Sequence, residues 1–170
     1  MKKSLLGLVL VLLLVLGLPG PAFAATTADV DVTATPAFVG IACNQSVYDF
    51  GVVVASTTSS TNTGWALITN TSTVQTDQTI SVTTATWAGG VTWTHSDTNT
   101  PAEDTAGMLA NKGGTWGVGD VIIKNAAPNY IAENQGATTN YVFGLTLTAP
   151  TGYTDGVEKS ITVRVSAAAG

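Results

Sequence analysis

Residues 139–166 have the sequence TNYVFGLTLTAPTGYTDGVEKSITVRVS, and two segments of this stretch alternate between apolar and polar side chains. The apolar positions are Tyr141, Phe143, Leu145 and Leu147 in the first segment, and Ile161, Val163 and Val165 in the second. A period of two is typical of a strand with one buried face. Because Pro150, Gly152 and Asp155-Gly156 supply turn residues between the segments, the stretch predicts a hairpin of two antiparallel strands.

The rest of the chain must supply a second layer, because a two-stranded hairpin is only marginally stable in water. Apolar or alternating segments predict further strands at residues 28–36, 38–43, 47–54, 64–70, 78–87, 91–95 and 118–124. We expect Ile80 and Val82 to point inward, and residues 47–54, VYDFGVVV, to be buried on much of both faces. Trp87 and Trp93 flank the turn of a second predicted hairpin.

The stretches between these strands are polar. One short helix is predicted at residues 101–110, because Thr100, Pro101 and Glu103 match a capping box. Residues 55–63 predict a connecting loop or an exposed edge, and residues 125–138 predict a long loop.

These elements predict an all-β fold. About eight short strands, no long helix and no alternation of strand with helix favour a single antiparallel β-sandwich, immunoglobulin-like or jelly-roll-like. A closed barrel is the alternative, and it would leave no unpaired strand for a partner.

Residues 1–24 are predicted to be a secretory signal peptide. Lys2 and Lys3 precede an apolar run at residues 5–18, and Ala22 and Ala24 form a small-x-small cleavage pattern. An uncleaved anchor is disfavoured, because the run is shorter than the roughly 20 residues of a membrane span. We therefore expect a secreted protein, extracellular or at the cell surface, with an N-terminal strand at residues 25–36 and a sandwich domain at residues 37–170.

The net charge and the cysteine content restrict the kinds of partner and crosslink that we expect for this chain. The leader contains two of the six basic residues, so the predicted mature chain has four basic and eleven acidic residues, a net charge of −7. This disfavours nucleic acid and anionic membranes, which bind basic patches. The single cysteine, Cys43, excludes an internal disulfide. Its apolar neighbours predict a buried side chain rather than a nucleophile or an intermolecular bridge.

No catalytic, cofactor-binding or metal site is predicted. His95 is followed by Ser96 and Asp97, but neighbouring strand residues point to opposite faces and do not form a triad. One Cys and one His disfavour zinc. Calcium remains an alternative, although the spacing matches no calcium-loop pattern. Its candidate ligands are Asp97, Asn99, Glu103 and Asp104.

The aromatic residues have two interpretations. They are expected mainly in the core, but a stacking platform for sugars remains an alternative. Its candidate members are Trp65, Trp87, Trp93, Trp116, Tyr130 and Tyr153. Trp116 lies between glycines and is the most suited to standing out from a loop, so a polysaccharide is a possible partner.

The N-terminal segment is a candidate assembly strand. Val30, Val32 and Ala34 alternate with polar residues, so the segment suits pairing with the sheet edge of a neighbouring copy. Pairing within its own domain is the competing interpretation, because the first strand of a domain usually pairs with other strands of the same chain.

The chain resembles exported immunoglobulin-like sandwiches, including biofilm-fibre and camelysin-type filament subunits. The likeness rests on Tyr48-Asp49-Phe50-Gly51, Asn70-Thr71-Ser72 and the two alternating terminal strands. It implies a non-catalytic homopolymer, such as a fimbrium or surface layer, that forms by donor-strand exchange. A secreted carbohydrate-binding or adhesion module is the alternative.

Overall fold

The structure is a computed structural model that describes residues 33–113, 115–125 and 127–170. Residues Pro36–Gly170 form one compact unit. The predicted signal peptide lies outside the described residues, and so do Val30 and Val32 of the predicted assembly strand. Ala34 is described; it is exposed and has no strand conformation.

The described residues contain eleven strands and no helix, so the predicted all-β class is confirmed. The strands are β1 (Ile41–Cys43), β2 (Thr58–Ser60), β3 (Ala66–Asn70), β4 (Thr76–Val82), β5 (Thr86–Trp87), β6 (Trp93–Ser96), β7 (Thr105–Asn111), β8 (Val121–Ile122), β9 (Asn129–Gln135), β10 (Asn140–Thr148) and β11 (Val163–Ala169). Their number exceeds the predicted eight because β2, β7 and β9 lie in stretches where the sequence predicted loops or a helix. Within the described ranges, no helix is long and apolar enough to cross a membrane.

The first sheet has eight strands and is built around β10. One edge of β10 pairs with β3 and then with β2, and its other edge pairs with β7. Between β2 and β3 the edge is held by Thr61, whose amide donates to the Leu145 carbonyl (2.9 Å) and whose hydroxyl accepts from the Leu145 amide (2.8 Å). β1 extends the sheet beyond β3, β6 and β5 extend it beyond β7, and β8 also pairs with β7. The β6–β7 pair is parallel, whereas the sequence predicted antiparallel pairing throughout.

The second sheet has three strands in the order β11-β4-β9. β11 and β4 pair antiparallel over seven residues, from Val163 opposite Val82 to Ala169 opposite Thr76. β9 pairs with the other edge of β4 through irregular register near Gln78. That irregularity breaks the period of two, which is why residues 125–138 predicted a loop although they contain β9.

The two terminal strands do not form the predicted hairpin. β10 lies in the first sheet and β11 in the second, and the fourteen residues between them, 149–162, cross from one sheet to the other. Hairpin loops usually have about two to five residues, so this connection is long enough to change sheets. Ser160 and Ala88 exchange two backbone hydrogen bonds (2.8 and 2.9 Å), which fix the crossing segment to the β5–β6 hairpin.

The predicted helix at residues 101–110 is wrong. Residues Thr105–Asn111 form β7, and Ala106, Met108 and Ala110 are buried at alternate positions. Pairing on both edges, with β10 on one side and β6 and β8 on the other, outweighs the local capping preference of Thr100 and Glu103. The predicted hairpin with Trp87 opposite Trp93 is confirmed as the β5–β6 pair.

The core contains the alternating side chains that the sequence predicted to point inward. Phe143, Leu145 and Leu147 of β10 are buried, as are Ile80 and Val82 of β4. Ile68, Met108, Ile123 and Ile131 join the same cluster from other segments.

Both sheets run between the same two ends of the unit. One end, called the 71–75 end, is defined by connections 71–75 and 136–139. There the Asn70 side-chain amide donates to the carbonyls of Gln135 and Gly136 (both 2.9 Å). Gly170 also reaches this end, where its amide donates to the Gln75 carbonyl (3.1 Å). The opposite end, called the 149–162 end, is defined by connections 83–85 and 149–162.

β10 is buried on its outer face as well. A Cβ atom added at Gly144 would lie 2.6 Å from the Asn62 carbonyl oxygen and 2.9 Å from Cζ2 of Trp116. Trp116 is half-buried there, so the loop that carries it covers the centre of the first sheet.

We expect Gly144→Ala to lower the free energy of unfolding by about 1–3 kcal/mol, because the methyl group overlaps backbone and an indole ring in a packed layer. Gly156→Ala is the matched control, because no atom lies within 4 Å of its added Cβ. It should change stability by less than about 0.5 kcal/mol. Chemical denaturation followed by tryptophan fluorescence measures both, and equal values for the two variants would contradict the packing at Gly144.

Candidate functional site

A cavity of about 1240 Å³ opens beside β11, and we call it the cleft. One wall is the inward face of the first sheet, with Ile68, Phe143 and Leu145. The other wall includes Val163 and Val165 of β11. Both walls are therefore apolar, and an occupant with apolar side chains would remove more of this surface from water.

β11 borders the cleft with an edge that lacks a partner strand among the described residues. All seven of its residues pair with β4 on one side only. Arg164 is its single charged residue, so the edge carries little of the charge that usually protects exposed strands. An added strand would find unpaired backbone groups and an apolar cavity next to each other.

Residues 45–53 cover part of the cleft instead of forming the predicted buried strand. Gly51 has a positive φ of 65°, and its amide donates to Asp49 Oδ1 (2.7 Å), so a local turn interrupts the segment. Tyr48 stacks edge-on against Phe50 and Trp65, with ring centroids 4.9 and 5.2 Å apart. Val52, by contrast, is 98% exposed.

A second aromatic group anchors the crossing segment 149–162 to the cleft. Trp93 lies edge-on to Trp87 (6.0 Å) and stacks face to face with Tyr153 (5.2 Å). The Tyr153 hydroxyl donates to the Val53 carbonyl (3.0 Å), which joins the two segments that cover the cleft. Burial raises the pKa of the Tyr153 hydroxyl, so it keeps its proton at neutral pH.

Asp155 and Lys159 form an ion pair beside this aromatic group. The Lys159 side chain is almost fully buried, and its ammonium lies 5.8 Å from the centre of the Trp93 ring. Asp155 also accepts a hydrogen bond from the Val91 amide. The hydrogen bond from Lys159, followed by that from Val91, lowers the pKa of the Asp155 carboxyl.

The structure places the other candidate residues apart from one another. Cys43 is exposed and lines the cleft, so the prediction that it is buried is wrong. Its short strand β1 lies at the edge of the first sheet, where the apolar neighbours do not enclose it. His95 is buried, and its Nε2–H donates to the Ile123 carbonyl (2.8 Å).

The calcium candidates do not converge on one point. Asp97 accepts from the Asn125 amide (2.7 Å), whereas Asp104 accepts from the amide and the hydroxyl of Thr154. In the described part of the chain, no group of three or more His, Cys, Asp or Glu side chains is placed to hold a metal ion.

The aromatic side chains also do not form one platform. Trp87 and Trp93 are buried near the cleft, and Trp116 lies on the opposite, outer face of the first sheet over Gly144. Tyr130, on β9, is half-exposed.

No protein-family model, curated protein or solved structure matches this chain.

The sequence carried one usable signal for the cleft. The connection 149–162 is too long for a tight hairpin, and this length indicates a crossing between sheets. The unpaired edge of β11 had no local signature, because it depends on the crossing. Asp155 and Lys159 are four residues apart, but this spacing indicates a contact only in a helix, and the segment predicts a turn.

We expect Asp155→Asn to reduce stability at pH 7, because it leaves the buried Lys159 ammonium without its carboxylate. The folded-state pKa of Asp155 is lowered, so its contribution is present above the unfolded pKa of about 4 and is lost as the pH falls through the folded value. The variant should therefore lose less stability than the parent between neutral pH and about pH 2. Thermal unfolding across this range measures the effect.

Glu158→Gln is the matched control, because it removes the same charge from an exposed neighbour in the same segment. It should keep the parental pH profile. A Glu158→Gln profile that flattens as much as that of Asp155→Asn would show that net charge, rather than the ion pair, sets the pH dependence.

Proposed function

We propose that this chain is a non-catalytic extracellular structural protein, a self-assembling filament or surface-layer subunit whose copies join by β-strand exchange. The observation that carries the proposal is the seven-residue edge of β11, which lacks a partner among the described residues and borders the apolar cleft. In this proposal the two sheets are the layers of one sandwich that is open along β11.

The donor in this proposal is the N-terminal strand, residues 25–36, of a neighbouring copy. Residues 29–35 match the seven residues of β11 in length. Their backbone would pair with β11, and the apolar side chains Val30, Val32 and Ala34 would enter the cleft. Because side chains alternate along a strand, Asp29, Asp31, Thr33 and Thr35 would face solvent.

The composition is consistent with such a role. The predicted leader provides export, and the acidic charge of the mature chain keeps unassembled copies soluble. With one cysteine and therefore no internal disulfide, cohesion between copies would depend on backbone hydrogen bonds and apolar burial. The proposed partner is another copy of this chain, with no cofactor, nucleic acid or membrane surface involved.

A secreted carbohydrate-binding or adhesion module is the second candidate. The feature that favours it is the aromatic lining of the cleft, where Tyr48, Trp93 and Tyr153 are among the wall residues. This candidate requires a monomer whose tryptophan fluorescence changes on adding a soluble polysaccharide. Strand exchange requires self-association without ligand.

We expect the chain 25–170 to form large assemblies, measured by size exclusion with light scattering, and Val30→Asp/Val32→Asp to remain a folded monomer. Two carboxylates in an apolar cleft lose their hydration without gaining partners. Thr33→Asp/Thr35→Asp, which adds the same charges on the other face of the strand, should assemble like the parent. A monomeric parent, or a Val30→Asp/Val32→Asp variant that unfolds, would assign the strand to its own domain.

Cys43 provides a second test without any substitution, because it is the only cysteine and lines the cleft. Its thiol should react with a soluble maleimide in dilute monomer and at least tenfold more slowly in the assembly, where a donor strand shields it. Equal rates in the two states would show that assembly leaves the cleft open. Mass spectrometry of samples quenched over time measures the rates.

A further inference from the structure

Phe38, near the start of the compact unit, lies at the 71–75 end. The Phe38 amide donates to the Thr73 hydroxyl, and the Thr73 amide donates to the Phe38 carbonyl (both 3.0 Å). Phe38 is 57% exposed and Val39 is 38% exposed. We call these two side chains the donor-side patch, because only Pro36 and Ala37 separate them from residues 29–35, the part of the proposed donor strand that would pair with β11.

The opposite end of the unit has a larger group of exposed apolar side chains. Val52 and Val54 flank Val53, whose carbonyl accepts the hydrogen bond from the Tyr153 hydroxyl. Val157 belongs to the crossing connection 149–162. Val52 and Val157 also line the cleft. We call Val52, Val54 and Val157 the acceptor-side patch; each is more than half exposed.

Strand direction brings these two patches together. β11 runs from the 149–162 end towards the 71–75 end. A donor strand paired antiparallel to it runs in the reverse direction, so its last residue, Thr35, emerges at the acceptor's 149–162 end. Antiparallel pairs are the more stable and more frequent arrangement.

The short connection from Thr35 to Phe38 restricts where the donor copy can lie relative to the acceptor. Three residue steps join Thr35 to Phe38, and an extended chain advances at most about 3.5 Å per residue. Phe38 of the donor copy must therefore lie within about 10 Å of the acceptor's 149–162 end.

We propose that neighbouring copies make a second, head-to-tail contact in which the donor-side patch of one copy packs against the acceptor-side patch of the next. This contact rests on the proposed strand exchange and adds a domain–domain interface to it. The two patches differ and lie at opposite ends of the unit, so the contact is heterologous, the type that continues into an open filament when the rotation between copies does not close a ring.

Val54→Asp is the direct test, because Val54 is 63% exposed and, unlike Val52 and Val157, is not among the residues that line the cleft. In the chain 25–170 it should raise the critical concentration for assembly at least tenfold, because the interface would bury an unpaired carboxylate. Val118→Asp is the matched control: Val118 is 70% exposed and belongs to the loop that covers Gly144. Its critical concentration should stay within twofold of the parent.

A mixing experiment tests whether the contact is heterologous. Phe38→Asp damages the donor side and Val54→Asp the acceptor side, so each variant alone should be impaired in assembly. Mixed in equal amounts below their own critical concentrations, the two should form heterodimers, in which Phe38 of one copy meets Val54 of the other, and no longer species. Light scattering and native mass spectrometry distinguish dimers from polymers, and thermal unfolding verifies that each variant is folded.

The outcomes separate this contact from strand exchange itself. If the parent assembles, Val30→Asp/Val32→Asp does not, and Val54→Asp assembles like Val118→Asp, the head-to-tail contact is overturned and strand exchange stands. If the mixed variants form no dimer, the pairing of these two patches is overturned. A parent chain that stays monomeric at all concentrations overturns both proposals.

Discussion

The burial of β10 on both faces is the constraint on which the rest of the structure depends. Its inward side chains Phe143, Leu145 and Leu147 form the centre of the core, while Gly144 on the outer face leaves room for the ring of Trp116. Both of its edges are paired as well, through β2 and β3 on one side and β7 on the other. A strand enclosed in this way fixes the register of the first sheet, since a slip of one residue would exchange its faces.

A fully paired β10 has no free edge for β11, and this explains the position of the cleft. The chain after Thr148 crosses to the second sheet, where β4 offers β11 a partner over seven residues. The crossing leaves one edge of β11 facing an apolar cavity, which the aromatic side chains of residues 45–53 and 149–162 cover only in part. The same topological step thus completes the core and creates the site that we propose for assembly.

Local sequence patterns predicted the strands that are central and regular, and missed features that depend on pairing. The alternation in β10 and β11 and the inward positions of Ile80 and Val82 were evident from the sequence, but the sheet to which β11 belongs was not. The capping-box match at Thr100 predicted a helix, but pairing of β7 with its neighbours makes this stretch a strand. Residues 47–54 have the composition of a buried strand, yet the turn at Gly51 keeps them out of both sheets. Cys43 is exposed at the cleft because β1 lies at the edge of its sheet, and the local sequence pattern did not predict that edge position.

The continuous pairing of β11 with β4 has a mechanical consequence. The two strands run along the line between the 71–75 end and the 149–162 end, and the hydrogen bonds of an antiparallel pair lie perpendicular to the strands. A pulling force applied between these ends therefore loads the ladder in shear, so that its bonds share the load instead of opening one after another. If copies are joined end to end, tensile strength along the fibre would come from this geometry, in a protein whose single cysteine allows no internal disulfide.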